Sequence, residues 1–134
     1  MERLQLNNRA PAILLIEKDA VTLEMYQREL SLSFTVFAFT QIDSVPELLA
    51  SRDIQALVIE PEIDNGQGWK LIDSLQASFP NRPIPVIVCS TRDASRAAPG
   101  PEVARYLTKP VLPKTLREVT LDVLGSKELR GKFS

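Results

Sequence analysis

ALVIEPEIDNGQGW, residues 56–69, decides the fold. Four apolar residues, Ala56 to Ile59, climb to a carboxylate at Glu60. The chain then turns through Pro61, Asp64, Asn65, Gly66 and Gly68 before the apolar spacing resumes at Trp69. A short apolar run without alternation reads as a strand covered on both faces, which is the habit of parallel sheets. The strand delivers an acid to its C-terminal tip, the place where such sheets keep their sites.

The same unit recurs outward in both directions. PAILLIE (11–17), FTVFAFT (34–40) and PVIVCS (85–90) are further buried-strand patterns, and ARYLT (104–108) is a weaker one. Helical patterns lie between them. Asp19 stands where an N-cap belongs, ahead of Leu23, Tyr26 and Leu30 at i, i+3 and i+7 spacing. Ser44 and Glu47 have capping-box spacing before PELLAS, with Pro46 in the first turn. WKLIDSLQ places Leu71, Ile72 and Leu75 on one face. Pro113 opens a last helix that Gly125 is placed to end. Residues 92–103, RDASRAAPGPEV, break the rhythm. Pro99 and Pro101 lack amide donors and Gly100 disfavours a helix, so a short or missing helix is expected there, as a mobile loop. Repeated strand–helix alternation implies a parallel sheet with helices on both faces.

Composition narrows the function. The 134 residues suit one domain: a flexible N-terminal extension at 1–10, a core at 11–125 and a tail at 126–134. Sixteen basic residues against 17 acidic ones, net −1, argue against nucleic acid or a membrane surface as partner. The absence of histidine removes His-based metal sites and Ser-His or Cys-His catalysis. A Ser-Lys pair of Ser90 with Lys109 is conceivable but has nothing else in its support. The one cysteine, Cys89, sits within an apolar run and reads as a buried small residue. AILLI is too short for a signal-peptide core or a membrane span, so a cytoplasmic location is expected. An FMN module of flavodoxin type would want glycine or hydroxyl residues after the first strand, and EKDAVTLEM offers an acid and no glycine.

The strand ends carry Glu17 with Lys18, Glu60, Ser90 with Thr91, and Lys109. With YLTKP at 106–110, the turn from Pro61 to Trp69 and PVIVCST, the chain resembles the receiver domain of two-component response regulators over about residues 11–125. The resemblance implies a three-layer, flavodoxin-like (CheY-like), doubly wound five-stranded parallel sheet of order 2-1-3-4-5. It also implies a site where an acidic pair and an aspartate hold Mg²⁺, and where the aspartate accepts a phosphoryl group from a histidine kinase. By position the acidic pair falls on Glu17 and Lys18, the acceptor on Glu60, the hydroxyl on Ser90, the lysine on Lys109 and the switch aromatic on Tyr106, beside Thr91.

The departures count against that chemistry. Three carboxylates and one lysine leave minus two for a divalent ion to neutralise, whereas Glu17, Glu60, Lys18 and Lys109 sum to zero. Mg²⁺ needs carboxylate charge and octahedral geometry. Without it the transferring phosphoryl group loses its main stabiliser. Glu60 also carries its carboxylate roughly 1.5 Å further out than aspartate would, and a misplacement of about 1 Å costs ~100-fold in rate. The expectation is a pseudo-receiver of a phosphorelay system: no enzyme, no cofactor, Mg²⁺ binding lost, Lys18 paired with Glu60 or Glu17. A receiver that a histidine kinase still phosphorylates is the alternative. Only GSKELRGKFS follows the last helix pattern, so output through protein–protein contact is expected, with a histidine kinase or a downstream signalling protein as partner and the chain a monomer or weak homodimer.

Overall fold

The structure is a computed structural model that describes residues 10–78, 83–91 and 103–133, with side chains through residue 125. The elements run β1 (Ala12–Ile16), α1 (Ala20–Leu30), β2 (Thr35–Phe39), α2 (Val45–Ser51), β3 (Ile54–Ile59), α3 (Ile63–Ser78), β4 (Val86–Ser90), β5 (Val103–Thr108) and α4 (Pro113–Phe133). All five strands are parallel, in the order β2-β1-β3-β4-β5. The parallel sheet is the one the strand patterns imply, and its flavodoxin-like order is the one the receiver resemblance implies.

The period of two along each strand sorts its side chains into two cores. Leu14, Ile16, Leu57, Ile59, Val86 and Val88 face α2 and α3, burying Val45, Ile63, Ile72 and Leu75. Ile13, Leu15, Ala56, Val58, Ile87 and Cys89 face α1 and α4, burying Tyr26, Leu30, Leu116 and Val123. A continuous apolar run is therefore required in β1, β3 and β4, which are covered on both faces, whereas the edge strands β2 and β5 keep exposed positions. Cys89 is buried and free, and burial pushes its thiol pKa up, which suits a packing residue rather than a nucleophile.

Caps and turns follow local chemistry. Asp19 is extended and its carboxylate accepts from the Thr22 amide at 2.9 Å, which starts α1. Ser44 makes no capping bond: its backbone is already helical (φ −92°, ψ −2°), and a side-chain cap needs an extended residue. Pro46 does sit in the first turn of α2. After Glu60, Asp64, Asn65 and Gly66 all adopt positive φ (49°, 58° and 88°), and only then does α3 run regularly. Asp, Asn and Gly are the residues that tolerate this conformation.

The last helix does not end at Gly125. It continues to Phe133, so residues 126–133 extend the helix instead of forming a tail. Gly125 lacks the positive φ of a helix stop, and a Cβ there would meet nothing within 4 Å. A glycine inside a helix weakens it by about 1 kcal/mol without breaking it. The short or missing helix expected at 92–103 and the extension at 1–10 lie almost wholly outside the described residues.

Candidate functional site

The sheet ladder brings the strand-end residues to one edge. Past Ile16 and Ile59, which are register partners, the next residues are Glu17 and Glu60. The Glu60 amide donates to the Ile16 carbonyl at 2.9 Å and the Glu17 amide to the Phe39 carbonyl at 3.1 Å. On the other side the Lys109 amide donates to the Ser90 carbonyl at 2.7 Å, and the peptide that follows, Lys109–Pro110, is cis. Backbone bonds thus place both acids and the lysine around one point.

Both glutamates are buried, with side chains 2% and 0% exposed. Each is clipped in the same way. One oxygen of Glu17 accepts from the Asp19 amide at 3.0 Å, and one oxygen of Glu60 accepts from the Glu62 amide at 3.1 Å. The other oxygens both meet the Lys109 ammonium, Glu17 Oε1 at 2.5 Å and Glu60 Oε1 at 3.5 Å. Lys109 keeps only 15% of its side-chain exposure. Burial pulls its pKa down, but the Glu17 hydrogen bond and the charges of Glu17 and Glu60 outweigh that and leave it raised.

Lys18 is not part of this group. It is exposed and makes no ion pair with a described residue, contrary to the expected pairing with Glu60 or Glu17. Lys18 lies in a bend past the end of β1 with its side chain exposed, whereas Lys109 follows β5 with its amide bonded to the Ser90 carbonyl. The sum of zero charge therefore does not describe the buried group, where two carboxylates and one ammonium leave minus one. Lys18→Asp consequently changes stability by no more than about 0.5 kcal/mol. Urea unfolding of the two proteins measures this, and a loss of several kcal/mol would place Lys18 back in the site.

Ser90 is buried and Thr91 exposed, on either side of the β4 end. Tyr106 is partly buried against the core on the α2–α3 side, and Trp69 packs against the same cluster at the start of α3. Sequence reading missed Tyr26. Its hydroxyl donates to the Val111 carbonyl at 3.0 Å and lies 3.8 Å from Cys89 Sγ, tying α1 to the loop that follows Lys109. The helical spacing marked Tyr26 as a core residue, but nothing local in the sequence names a partner 85 residues away.

The donor set does not fit Mg²⁺. Mg²⁺ takes six oxygens at octahedral positions, whereas here two carboxylates supply the oxygens and the Lys109 ammonium, a positive charge, stands between them. Among the described residues, no group of three or more His, Cys, Asp or Glu is arranged to hold a metal. None of the described helices is long and apolar enough to cross a membrane.

The sequence matches no protein-family model and no curated protein. Solved structures match throughout the fold. A response regulator receiver domain protein (CheY-like) from Methanospirillum hungatei JF-1 is 16% identical at a TM-score of 0.75, over 90% of this chain and 98% of that one. The signal receiver domain of an HD domain-containing protein from Pseudomonas fluorescens Pf-5 is 23% identical at 0.77, over 90% and 98%. A response regulator from Thermotoga maritima is 17% identical at 0.74, over 87% and 98%. The chain has the fold of response-regulator receiver domains.

Proposed function

We propose that this chain is a receiver-type signalling module that works through protein contact and does not accept a phosphoryl group at Glu60. The observation that carries the reading is the state of Glu60. Its side chain has no exposure, and its two oxygens are held by the Lys109 ammonium and the Glu62 amide. A nucleophile must present a free lone pair in line with the incoming phosphorus. Glu60 would have to turn its carboxylate away from these partners and reach a surface that it does not touch.

Protein contact is supported by apolar side chains left in water. Val21 and Leu112 are 74% and 71% exposed, and Met25 is half exposed. Val21 and Met25 lie on α1, which Tyr26 ties to the residue before Leu112. These exposed apolar side chains offer contacts to a protein partner. Thr91 is exposed at the β4 end and Tyr106 is partly buried on the other face of the sheet. That partner is a histidine kinase or a downstream signalling protein of a phosphorelay, and the chain itself is a binding module rather than an enzyme.

The test is incubation with Mg²⁺ and acetyl phosphate followed by intact mass measurement. The expected result is no change in mass. A gain of one phosphoryl group that disappears in Glu60→Ala would overturn the proposal and make the chain a working receiver.

A further inference from the structure

We propose that the free edge of β2 is a self-pairing surface, where a second copy of this chain adds its own β2 antiparallel across a two-fold axis. The proposal goes beyond the receiver reading and rests on the sheet alone. β2 ends the strand order and is bonded on one side only, to β1. The Thr35 amide donates to the Pro11 carbonyl, and the Phe39 carbonyl accepts from the Glu17 amide. Backbone groups alternate sides along a strand, so Thr35, Phe37 and Phe39 face β1 while Val36 and Ala38 face outward. Each outward residue carries one N–H and one C=O, and no described strand lies there to take them.

Sheet edges are ordinarily blunted by charge, proline or a bulge. The opposite edge follows that rule: β5 holds Arg105, and Lys109 and Pro110 come directly after it. β2 does not. FTVFAFT, residues 34–40, has no charge, no proline and no glycine, the composition that pairs strand to strand most readily. Arg52 lies 5.4 Å from the Phe37 ring centroid, which puts its charge over a face of the sheet and leaves the backbone edge without one. The side chains are unfinished as well: every position of β2 keeps some exposure, whereas every position of β4 is buried.

The strand is self-complementary, which commits the occupant to a second copy. A two-fold axis at Phe37 sets Val36 opposite Ala38 of the second copy and Ala38 opposite its Val36. The outward groups of both strands then exchange hydrogen bonds. Phe37 meets its own copy, and Phe39 meets the exposed Thr35, a large residue against a small one. A neutral edge offers a charged partner nothing to read. Pairing the edge with itself uses up both copies' edges, so the assembly closes at two chains.

The experiment is amide hydrogen exchange by NMR on the intact chain, dilute and concentrated, with sedimentation velocity on the same samples. Reversible dimerisation with rising concentration is expected. On pairing, the Val36 and Ala38 amides are expected to slow by about tenfold or more, while those of Thr35, Phe37 and Phe39, already facing β1, change little. Ala38→Pro removes an outward donor without touching a β1 bond and is expected to stay monomeric with an unchanged circular dichroism spectrum. A chain that is still a monomer at millimolar concentration overturns the proposal. So does a dimer in which Val36 and Ala38 exchange as fast as in the monomer, because its interface then lies elsewhere. Protection of both amides in the monomer also overturns it, since a segment of the same chain would then occupy the edge. None of these outcomes depends on phosphorylation of Glu60, which decides the proposed function.

Discussion

Lys109→Met loses about 3 kcal/mol of stability at neutral pH in the absence of metal. Breaking a buried ion pair by removing one partner costs about 3–5 kcal/mol, because the other charge is left uncompensated. The low end applies, since the Lys109 side chain keeps 15% exposure and each glutamate retains its amide donor. Urea unfolding measures the loss, and a change under 1 kcal/mol would mean that the glutamates are not held by this lysine. The pH dependence has a defined sign. The pKa of Lys109 in the folded chain is raised above its ordinary value of 10.5. The unfolded state therefore releases its proton first as pH rises. The stabilisation is complete below the unfolded value and disappears as pH climbs through the folded one. The intact chain should hold this contribution from neutral pH to about pH 10 and lose it beyond. Lys109→Met should show no such alkaline step.

Gly68→Ala destabilises the chain by about 2 kcal/mol, and its melting temperature falls by roughly 6 °C. A Cβ at position 68 would lie 2.6 Å from the Pro61 Cα, 2.7 Å from its oxygen and 2.9 Å from its carbonyl carbon. All three are backbone atoms, so no side chain can swing aside. Pro61 follows Glu60, and moving it shifts the amide of Glu62 that holds the Glu60 carboxylate. Stability and the Lys109–Glu60 contact should therefore change together. Gly125→Ala is the control: with open space around it and helix on both sides, it should be neutral or stabilising.

The layers of the fold were legible because they depend on short-range patterns. Uninterrupted apolar runs such as AILLI and ALVI state that both faces of a strand are covered, and the alternation with helical spacing then leaves few topologies. The strand-end residues were legible for the same reason, since a parallel sheet brings its C-terminal tips to one edge. The identity of the cation in the site was not. Lys18 and Lys109 both stand beside Glu17 and Glu60 in the scheme of strand ends. What separates them is the local backbone, a bend that leaves Lys18 exposed and an amide bond to Ser90 that anchors Lys109, and neither is written in the residue types. The capping box at Ser44 failed on a similar point, for the motif records residue types and not the backbone angle that makes the cap work. Gly125 shows the limit of a stop signal: glycine ends a helix where positive φ is used, and here it is not.

Nitrogen-15 NMR of the Lys109 ammonium tests most directly whether one lysine serves both buried glutamates. At neutral pH its signal should stand apart from those of the exposed lysines. It should move in Glu17→Gln and again in Glu60→Gln, and stay in place when Mg²⁺ and acetyl phosphate are added. A Lys109 signal that merges with the surface lysines, or that moves in neither variant, would contradict the closed Glu17–Lys109–Glu60 pocket.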